Sequence, residues 1–488
     1  MTPQTTVTER GPSVSSDYRL PIAGEMVESG RIDEVTNPYN GHVVGRVPLA
    51  TEDQREAATA AAVEAFEETR TLSRFRRAEI CRRIAAGIEK RQRELAETIV
   101  HECGKPIQLA RGEVNRAILT FGLAAEEATR MGGEVVPIDI EPRVEGYTSL
   151  YYRFPVGPVL GISPFNFPLN LVAHKLAPAI AAGCTMVLKP AQQAPITSLK
   201  LAEICYEAGL PPKAFSVVHC TVEVGEPMVR DDRFKLLSFT GSGAVGWHLK
   251  SIAGKKKVVL ELGGNAGAIV HSDADIEWAV ERTAAGGYAY AGQTCIAVQR
   301  VLIHRSIHDE FCEKLVARTE QIEVGDPMSE GTLVGPLIEE QHADRVMTWI
   351  GEAVAGGARV LAGDKREGSL VWPTILAETS SDMKVECEEV FGPVITVRPY
   401  DDFSAAVRIV NDSIYGLQAG IFTHDLRLVH RAYQGLEVGG LIVNDFPTMR
   451  VDNYPYGGVK DSGLGREGVR FAMDEMTEMK TLVVDLRH

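Results

Sequence analysis

Two residues of this sequence have the types needed to attack a carbonyl carbon and to activate a nucleophile. Cys295, in Ala291-Gly292-Gln293-Thr294-Cys295, offers a thiol between a Gly/Ala-rich segment and an apolar, strand-like run. Glu261 ends the apolar run Val258-Val259-Leu260. A thiol must be activated before it attacks a carbonyl, and a carboxylate in apolar surroundings can act as a base. Each residue alone also fits a simpler interpretation, a buried structural cysteine and an acid at a strand end, so the assignment depends on the rest of the chain.

Asn166 is a candidate for stabilising a developing oxyanion. It lies in Ser163-Pro164-Phe165-Asn166-Phe167-Pro168, directly after the predicted strand Val159 to Ile162. An asparagine held between aromatic residues and prolines can present its amide N–H to a negatively charged oxygen. It can equally cap the helix predicted to begin at Pro168. Spacing alone leaves both interpretations open.

The segment Phe239 to Gly246 is a candidate phosphate-binding turn. It closes a predicted strand, opens a predicted helix, and contains Gly241, Ser242 and Gly246. Backbone N–H groups at a helix start bind anions, and glycines let a ligand approach closely. The spacing is neither G-x-G-x-x-G nor that of a P-loop, so an ordinary strand-to-helix turn remains the alternative.

Other residues could complete a nucleotide site. Lys189 follows the predicted strand Thr185 to Leu188, where it could reach a ribose or a phosphate, although a surface lysine before a turn explains it as well. Glu389 and Phe391 could bind ribose hydroxyls and stack on a ring, or could simply belong to a loop. The glycine-rich loop Pro455 to Gly463 has no role that its spacing reveals.

The elements that must position these residues alternate between strands and helices. Short apolar strands separated by helices run from Val159 to Glu261, which predicts β-α-β units and a doubly wound, Rossmann-like sheet. A second α/β stretch begins near Asp273. We therefore predict an α/β fold with a Rossmann-like region followed by a second α/β unit.

Composition limits the classes of partner. The chain has 488 residues, 44% of them hydrophobic, and a formal net charge of -15. This acidic balance argues against binding to nucleic acid and to acidic membranes. Eight scattered cysteines without a CxxC pair predict neither a disulfide framework nor a zinc site, and twelve histidines without HExxH predict no catalytic metal. With no secretory signal or membrane span in the sequence, we expect a cytoplasmic protein.

Taken together, these segments resemble the aldehyde dehydrogenase superfamily. The similarity extends from about Pro38 to Asp485 and rests on motifs in the family's order: Ser163–Pro168, Leu188–Pro190, Phe239–Gly246, Glu261–Gly264, Gly292–Cys295, Glu389–Pro393 and Pro455–Gly463. The stretches Glu113–Arg116, Ala124–Arg130 and Asp445–Arg450 most resemble the branch acting on lactaldehyde, glyceraldehyde phosphate, phosphonoacetaldehyde and similar short, polar aldehydes. The resemblance implies NAD(P)-dependent oxidation of a small aldehyde to its carboxylic acid.

The resemblance also implies a domain organisation. It consists of an α/β fold with a Rossmann-like cofactor domain, a second α/β catalytic domain and a small β oligomerisation element. We expect a flexible tail at 1–18, the cofactor domain at 19–140 and 154–260, the catalytic domain at 261–440, and the oligomerisation element at 141–153 and 467–488.

The resemblance implies a role for each catalytic candidate. Cys295 would form a thiohemiacetal, and Asn166 and the backbone N–H of Cys295 would hold the oxyanion. Glu261 would activate the water that hydrolyses the thioester. Family members that pass the acyl group to coenzyme A commonly lack this acid, so Glu261 favours release of a free acid. Two alternatives remain, a coenzyme A-acylating enzyme on the same fold and a non-catalytic family member.

The resemblance likewise implies a dinucleotide site. Lys189 and Glu389 would hold the cofactor riboses. Ser242 would hold the pyrophosphate, and Phe391 the nicotinamide end. Many NAD-using members carry a glutamate three residues after the lysine, where this chain has Gln192. A carboxylate there repels the 2′-phosphate of NADP, and charges ~4 Å apart interact by about 1 to 4 kcal/mol. A neutral amide removes that repulsion, so we predict that NADP is accepted as well as NAD.

Three arginines are candidates for binding an anionic tail of the substrate. Arg116, Arg130 and Arg450 lie in the stretches that resemble the short-aldehyde branch. A guanidinium is suited to forked contacts with an anionic group. Pairing of Arg116 and Arg130 with acids on neighbouring helical turns is an equally good interpretation.

The resemblance also bears on subunit association. Family members are usually dimers or tetramers, so we expect a homo-oligomer. The segments Tyr147–Arg153 and Thr481–Asp485 are rich in β-forming residues. They are our candidates for strand pairing between subunits.

Overall fold

The computed structural model describes residues 17–487. Its strands, in chain order, are β1 (Leu20–Ile22), β2 (Glu25–Val27), β3 (Ile32–Thr36), β4 (Val43–Pro48), β5 (Gly133–Val135), β6 (Tyr147–Pro155), β7 (Val159–Ile162), β8 (Met186–Lys189), β9 (Phe215–Val217), β10 (Leu236–Thr240), β11 (Lys257–Glu261), β12 (Ala266–Val270), β13 (Val298–His304), β14 (Arg359–Ala362), β15 (Arg366–Glu367), β16 (Leu370–Val371), β17 (Thr374–Ala377), β18 (Val394–Tyr400), β19 (Tyr415–Gly416), β20 (Gln418–Phe422), β21 (Gly440–Val443), β22 (Val459–Lys460), β23 (Gly463–Leu464) and β24 (Thr477–Asp485). Its α-helices are α1 (Glu52–Thr69), α2 (Arg74–Lys90), α3 (Gln92–Cys103), α4 (Ile107–Arg130), α5 (Asn170–Ala182), α6 (Ile196–Glu207), α7 (Val222–Arg230), α8 (Gly243–Ile252), α9 (Ile276–Tyr288), α10 (His308–Glu320), α11 (Glu340–Ala355), α12 (Lys384–Cys387), α13 (Phe403–Asn411), α14 (Leu426–Gly435) and α15 (Val469–Glu475). The predicted tail at 1–18 lies outside the described residues except for its last two.

The first large sheet contains the predicted Rossmann-like region. Its strand order is β23-β11-β10-β7-β8-β9, and all strands but β23 run parallel. Helices α5 to α8 connect the parallel strands, because parallel pairing requires a crossover. The strands are short, apolar and almost entirely buried, as expected for a sheet covered by helices on both faces. The observed β7 and β11 agree with the predicted strands to within one residue, which confirms this part of the fold.

The second large sheet confirms the predicted second α/β unit. Its order is β14-β17-β18-β13-β12-β20-β21, parallel throughout except for the edge strand β14. Helix α9 leads from β12 towards the loop that carries Cys295, and β13 follows that loop. The nucleophile candidate therefore sits between a buried helix and a central strand of this sheet.

The predicted oligomerisation element is a three-stranded antiparallel sheet in the order β24-β6-β5. Strands β24 and β6 pair along their whole length, from Thr477 opposite Pro155 to Asp485 opposite Tyr147. The two segments that we expected to pair between subunits thus pair with each other inside one chain. Strand β6 is the central strand, whereas β24 keeps one edge open.

The structure also moves the boundaries of this element. Residues 133–135, which the prediction placed in the cofactor domain, form β5 and join the small sheet. Within 467–488, helix α15 packs mainly against α5 and α4, because Val469 and Met473 are buried in the core of the first sheet. Only β24 of that segment belongs to the small sheet.

Helices α1 to α4 precede the first large sheet in the chain. Of these helices, α4 contacts the start of α5. Helix α4 packs against α2, α3 and α5. Its Glu113 accepts hydrogen bonds from the N–H groups of Leu169 and Asn170 at the start of α5, and it is ion-paired with the buried Lys105. The carboxylate therefore satisfies backbone donors that a helix start leaves free. Of the helices within residues 17–487, none has an apolar stretch long enough to cross a bilayer.

Candidate active site

A cavity of about 1090 Å³ opens beside the carboxyl ends of β7, β10 and β11 and the segment that precedes β13. Ligands of doubly wound sheets bind at such strand ends. Loops of both large sheets line the cavity. Most of the predicted site residues lie on its wall: Cys295, Glu261, Asn166, Gly241, Ser242, Glu389, Phe391, Arg116 and Arg450.

Arg130 does not reach this cavity. It lies exposed at the end of α4, where its guanidinium is 2.9 Å from Glu126 and 3.1 Å from Glu127. Both acids lie one helical turn away, so the alternative interpretation of Arg130 as a surface ion-pair partner describes its place in the structure. We therefore correct the prediction that Arg130 contributes to an anion site.

Three predicted cofactor residues lie beside the cavity rather than on its wall. Gly246 is buried in α8, where a Cβ would come within 2.3 Å of the Leu262 side chain, so its glycine permits close packing of the helix. Lys189 ends β8, and its side chain lies over Gly225, where a Cβ would be 2.9 Å from the lysine methylenes. Gln192 belongs to the same turn after β8, whose neighbouring residues 191 and 193 line the cavity.

The backbone ahead of Cys295 adopts an unusual conformation. Tyr290 and Ala291 have φ angles of 55° and 53°, and Gly292 follows with 69°. Such angles cost a non-glycine residue about 1–3 kcal/mol, so the surroundings must hold them. The Tyr290 hydroxyl donates to the Cys103 carbonyl oxygen at 3.0 Å. A Cβ at Gly292 would lie 2.2 Å from the Gly392 carbonyl oxygen, so this position requires glycine.

Gln293 fixes the loop beside the nucleophile. Its side-chain amide donates to the carbonyl oxygens of Tyr290 and Pro336 at 3.3 and 3.1 Å, and its oxygen accepts from the Ile338 N–H at 2.9 Å. The Gln293 carbonyl in turn accepts from Asn166 Nδ2 at 2.9 Å. These bonds connect the loop to segments of both large sheets, because Asn166 follows β7.

Both groups predicted to hold an oxyanion keep an unused N–H. Asn166 Nδ2 carries two N–H groups, and Gln293 takes one of them. The backbone N–H of Cys295 has no acceptor among residues 17–487. Asn166 is buried within the cavity wall, away from bulk water, where such donors are most effective.

The thiol of Cys295 faces the cavity and contacts one hydroxyl. Its Sγ lies 3.3 Å from the Oη of Tyr456. Burial raises the pKa of the Cys295 thiol to about 12, the hydrogen bond with Tyr456 lowers it, and the charge of Glu389 raises it further. The nucleophilic form is the thiolate, so the site must activate this thiol before it reacts.

Glu261 ends β11 with its carboxyl group in a buried position. Neither oxygen has a hydrogen-bond partner among the described residues. Burial, and next the charge of Glu467, raises the pKa of Glu261 well above its ordinary value. A Cβ at Gly457 would lie 2.9 Å from a Glu261 oxygen, so the glycine makes room for the carboxyl group. A carboxylate whose pKa is raised is a stronger base than an ordinary one.

Glu467 is the ionised neighbour of Glu261. Lys175 Nζ lies 3.2 Å and Arg450 Nη2 lies 2.8 Å from its oxygens. Although burial opposes ionisation, the charges of Lys175 and Arg450 lower the pKa of Glu467 to about 2. Sequence analysis did not predict this acid, because its partners lie on α5 and in the loop after β21.

Glu389 and Phe391 approach the candidate catalytic residues from the second sheet. Glu389 accepts a hydrogen bond from the Gly264 N–H at 2.9 Å, and burial raises the pKa of Glu389 to about 7. A Cβ at Gly263 would lie 2.4 Å from Glu389, so this glycine permits the approach. Phe391 has a φ of 45°, and its ring meets that of Phe165 edge-on at 6.1 Å.

The start of α8 fits the phosphates of a dinucleotide. Ser242 is the N-cap of α8 and its side chain makes no capping hydrogen bond. The first N–H groups of a helix have no intrahelical partner and favour an anion. The cavity runs from Gly241 and Ser242 past Glu389 and Phe391 to Cys295. Its volume exceeds the ~300–1,000 Å³ of a drug-sized pocket, so these residues fit a nicotinamide dinucleotide together with a small substrate.

Arg116 and Arg450 are each oriented by a buried acid. Arg116 donates from Nε and Nη2 to Asp452 at 3.2 and 2.6 Å. His174 Nε2 also lies 2.7 Å from Asp452. Although burial opposes ionisation, hydrogen bonds from His174 and Arg116 hold the pKa of Asp452 well below its ordinary value. Arg450 is paired with Glu467, and its guanidinium carbon lies 3.7 Å from the centre of a tyrosine ring.

Sequence comparison identifies the family. Residues 26–482 match the profile of the aldehyde dehydrogenase family. The chain belongs to the aldehyde dehydrogenase family. One relative is the 3-sulfolactaldehyde dehydrogenase of Priestia aryabhattai, which is 44% identical over 470 residues covering 96% of this chain and 98% of the relative.

Solved structures of other aldehyde dehydrogenases agree with this one. Aldehyde dehydrogenase 21 from Physcomitrella patens, in complex with the reaction product succinate, has a TM-score of 0.95 and 44% identity, covering 96% of this chain and 98% of its own. Glyceraldehyde-3-phosphate dehydrogenase from Methanocaldococcus jannaschii, complexed with NADP, has a TM-score of 0.90 and 39% identity, covering 93% and 99%. The predicted superfamily, fold class and enzyme class are thus confirmed: the protein is an NAD(P)-dependent aldehyde dehydrogenase.

Several residues of this aldehyde dehydrogenase site were not predicted from sequence. Tyr456 lies in the glycine-rich loop whose spacing revealed no role, and Asp452 and Glu467 lie close to it in the chain. Arg282 and Arg345 also line the cavity. Only the glycine-rich loop could have been found from the sequence, because its glycines indicate that another part of the molecule approaches its backbone closely.

Proposed function

We propose that this aldehyde dehydrogenase oxidises a short aldehyde with an anionic tail to the free carboxylic acid. The observation that carries the proposal is the convergence of Arg116 and Arg450 on the cavity that contains Cys295. Two relatives support it. The Priestia protein is named for 3-sulfolactaldehyde and the moss structure contains succinate, and both compounds carry an anionic group on a short chain.

Arg116 has donors to spare for a substrate. Two of its nitrogens bond Asp452, whereas Nη1 has no acceptor within residues 17–487. A guanidinium has five N–H groups in a fixed plane, so an arginine held on one edge presents the others in a defined direction. Arg450 adds a second positive charge to the same wall, and the two favour an anion over a neutral group.

In the proposed reaction the Cys295 sulfur adds to the aldehyde carbon, and the aldehyde oxygen becomes an oxyanion. Asn166 Nδ2 and the backbone N–H of Cys295 donate to that oxygen. The chemistry that NAD(P)+ supplies when bound is acceptance of a hydride. Cys295 then carries the acyl group as a thioester. Glu261 takes a proton from a water molecule, whose oxygen attacks the thioester carbon and releases the acid and the thiolate.

The hydrolytic route is supported by the surroundings of Glu261. Its two oxygens have no partner in the described structure, so they are available to a water molecule. A raised pKa makes the Glu261 carboxylate a stronger base towards that water. Transfer of the acyl group to coenzyme A would not need an acid in this position.

We propose that the enzyme accepts NADP as well as NAD. Gln192 is neutral and lies in the turn directly after Lys189, so this turn carries a positive charge and no carboxylate. The Methanocaldococcus relative, whose structure is complexed with NADP, supports the proposal. Lys189 and Glu389 would hold the riboses, Ser242 the pyrophosphate and Phe391 the nicotinamide end.

We propose a homodimer or homotetramer that associates through the outer edge of β24. Met479, Leu482 and Val483 are more than half exposed on this strand. An open, apolar edge strand is a surface that proteins normally cover. Leu482→Lys should therefore reduce the apparent mass in size-exclusion chromatography. The eight cysteines are free thiols, which supports a reducing, cytoplasmic location.

The test of the substrate class is a panel of short aldehydes in pairs, one anionic and one neutral, of equal chain length. We expect kcat/KM to be higher for the anionic member, and Arg116→Ala and Arg450→Ala to lower that preference about tenfold or more. Arg130→Ala is the matched control, because Arg130 lies on the same helix as Arg116 and pairs only with helix acids. If both cavity variants keep the anionic preference, the proposal is wrong.

A further inference from the structure

Tyr456 makes the one side-chain hydrogen bond to the Cys295 sulfur in the described structure. Its hydroxyl lies 3.3 Å from Cys295 Sγ, and its ring is buried. The backbone of Tyr456 is fixed by two hydrogen bonds with Glu467, at 3.0 and 2.6 Å. The hydroxyl therefore has a defined position and does not depend on a mobile loop.

We infer that Tyr456 is a further catalytic residue, whose hydroxyl donates a hydrogen bond to the Cys295 sulfur and stabilises the thiolate that attacks the aldehyde. The inference does not depend on the tail of the substrate, because it concerns the reactivity of the nucleophile itself. The proton of the hydroxyl stays on Tyr456, and the interaction forms and breaks no covalent bond.

The hydroxyl is suited to the role of donor. Burial, and next the charge of Cys295, raises the pKa of the Tyr456 phenol well above its ordinary value, which opposes loss of the phenolic proton. Within residues 17–487 the hydroxyl has no second hydrogen-bond partner. A thiolate can only accept, so the direction of the hydrogen bond is settled once the thiol ionises.

Arg450 strengthens this donor from the face of the Tyr456 ring. Its guanidinium carbon lies 3.7 Å from the centre of the Tyr456 ring, and Glu467 holds it there. A cation over an aromatic face draws electron density from the ring, which makes the phenolic O–H a better donor. The same cation favours the thiolate, whereas the charges of Glu389 and Glu261 oppose it.

The need for such a donor follows from the other groups around the sulfur. Burial opposes ionisation of Cys295, and no Lys, Arg or His side chain forms a hydrogen bond with it in the described part of the chain. Tyr456 is thus the one side chain there that compensates the buried thiolate directly. A hydrogen bond to a charged group is stronger than one between neutral groups, so it matters for a buried anion.

The test is the pH dependence of alkylation of Cys295 by iodoacetamide, followed by mass spectrometry of the peptide that contains it. We expect Tyr456→Phe to raise the apparent pKa of the thiol by about one unit and to slow alkylation at neutral pH about tenfold. The kcat/KM profile for a neutral aldehyde should move to higher pH by the same amount. A purely structural role would not move either profile along the pH axis.

The chain offers a matched control in Tyr454→Phe. Tyr454 lies in the same loop, but its hydroxyl bonds Gln418 and the Met449 carbonyl, not the sulfur. This variant should follow the wild-type profile. Tyr456→Leu is a second variant without the hydroxyl and should match Tyr456→Phe, and melting temperatures identify any folding defect. Superimposable profiles for wild type and Tyr456→Phe, faster alkylation of the variant, or an equal shift in Tyr454→Phe would overturn the inference.

Discussion

Glu261 and Glu467 share one buried cluster, yet only Glu467 is ion-paired. Lys175 and Arg450 lie 3.2 and 2.8 Å from Glu467, whereas both oxygens of Glu261 lack a partner in the described structure. The charge of Glu467 adds to burial in raising the pKa of Glu261. Two neighbouring carboxyl groups with opposite pKa shifts are the arrangement expected for one fixed anion and one group that exchanges a proton, which is the role proposed for Glu261.

Glu261→Gln is expected to stop turnover after the first equivalent of NAD(P)H. Glutamine keeps the shape of the side chain but cannot take a proton from water, so the thioester accumulates. Rapid-mixing absorbance should show a burst of about one equivalent, followed by a steady state slower by ~100-fold or more. Intact-protein mass spectrometry should detect the acyl adduct. A steady state as fast as that of the wild type would exclude Glu261 as the base.

The same variant should be more stable than the wild type at alkaline pH. The folded-state pKa of Glu261 lies above its usual 4.5, so ionisation penalises the folded state increasingly as pH rises from there towards the raised value. Glutamine does not ionise, so its melting temperature should exceed that of the wild type at pH 8 and match it below pH 4.5. Glu313→Gln, at an exposed position of α10, is the control for the substitution itself. Parallel melting curves across the range would contradict the buried, ionisable state of Glu261.

Asn166→Ala is expected to lower kcat by about 10²–10³, because one donor to the developing oxyanion is lost. Alkylation of Cys295 in the absence of substrate should keep its wild-type rate, since no oxyanion forms in that reaction. Steady-state kinetics and the alkylation assay together separate the two effects. An equal loss in both measurements would mean that Asn166 acts by holding the loop at Gln293, to which it is bonded.

Asp452→Asn is expected to raise KM for an anionic aldehyde with little change in kcat. Asp452 holds Arg116 by two hydrogen bonds, and an amide cannot reproduce this forked contact. In an Arg116→Ala background the second change should add no further increase, as expected for residues that act as one unit. The surface pair Arg305 and Asp401 provides a control, and Asp401→Asn should leave KM unchanged. Additive effects of the two cavity changes would show that Asp452 acts independently of Arg116.

Gln192→Glu is expected to lower kcat/KM for NADP about tenfold or more and to leave that for NAD nearly unchanged. The new carboxylate would repel the 2′-phosphate, and the repulsion at ~4 Å is about 1 to 4 kcal/mol. Gln192→Asn keeps a neutral amide and is the control. A hundredfold preference of the unmodified enzyme for NAD would remove the basis of this prediction.

Local sequence was sufficient for the strands that frame the site. Apolar runs bounded by glycine, proline and polar residues predicted β7 and β11. Asn166 and Glu261 were candidate site residues because they lie at or just after the ends of these strands. The helix acids beside Arg130 were equally visible at a spacing of three and four residues, so its surface pairing was among the predicted alternatives.

The remainder of the site depends on contacts between distant parts of the chain. Arg116 and Asp452 are separated by 336 positions, and no periodicity in the sequence indicates that they meet. Tyr456 and Glu467 lie in irregular segments, where spacing carries little information about burial. The pairing of β6 with β24 has the same origin, because a strand's pattern reveals that it needs a partner without identifying which one.

The residues that precede the Cys295 sulfur lead into the second large sheet, and they are also held by residues that pack with the first. The Tyr290 hydroxyl reaches back to Cys103, the ammonium of Lys105 lies 4.8 Å from the centre of its ring, and Asn166 bonds the neighbouring Gln293. A motion that separated the two large sheets would strain these contacts. It would also displace Cys295 relative to Asn166, the proposed oxyanion donor.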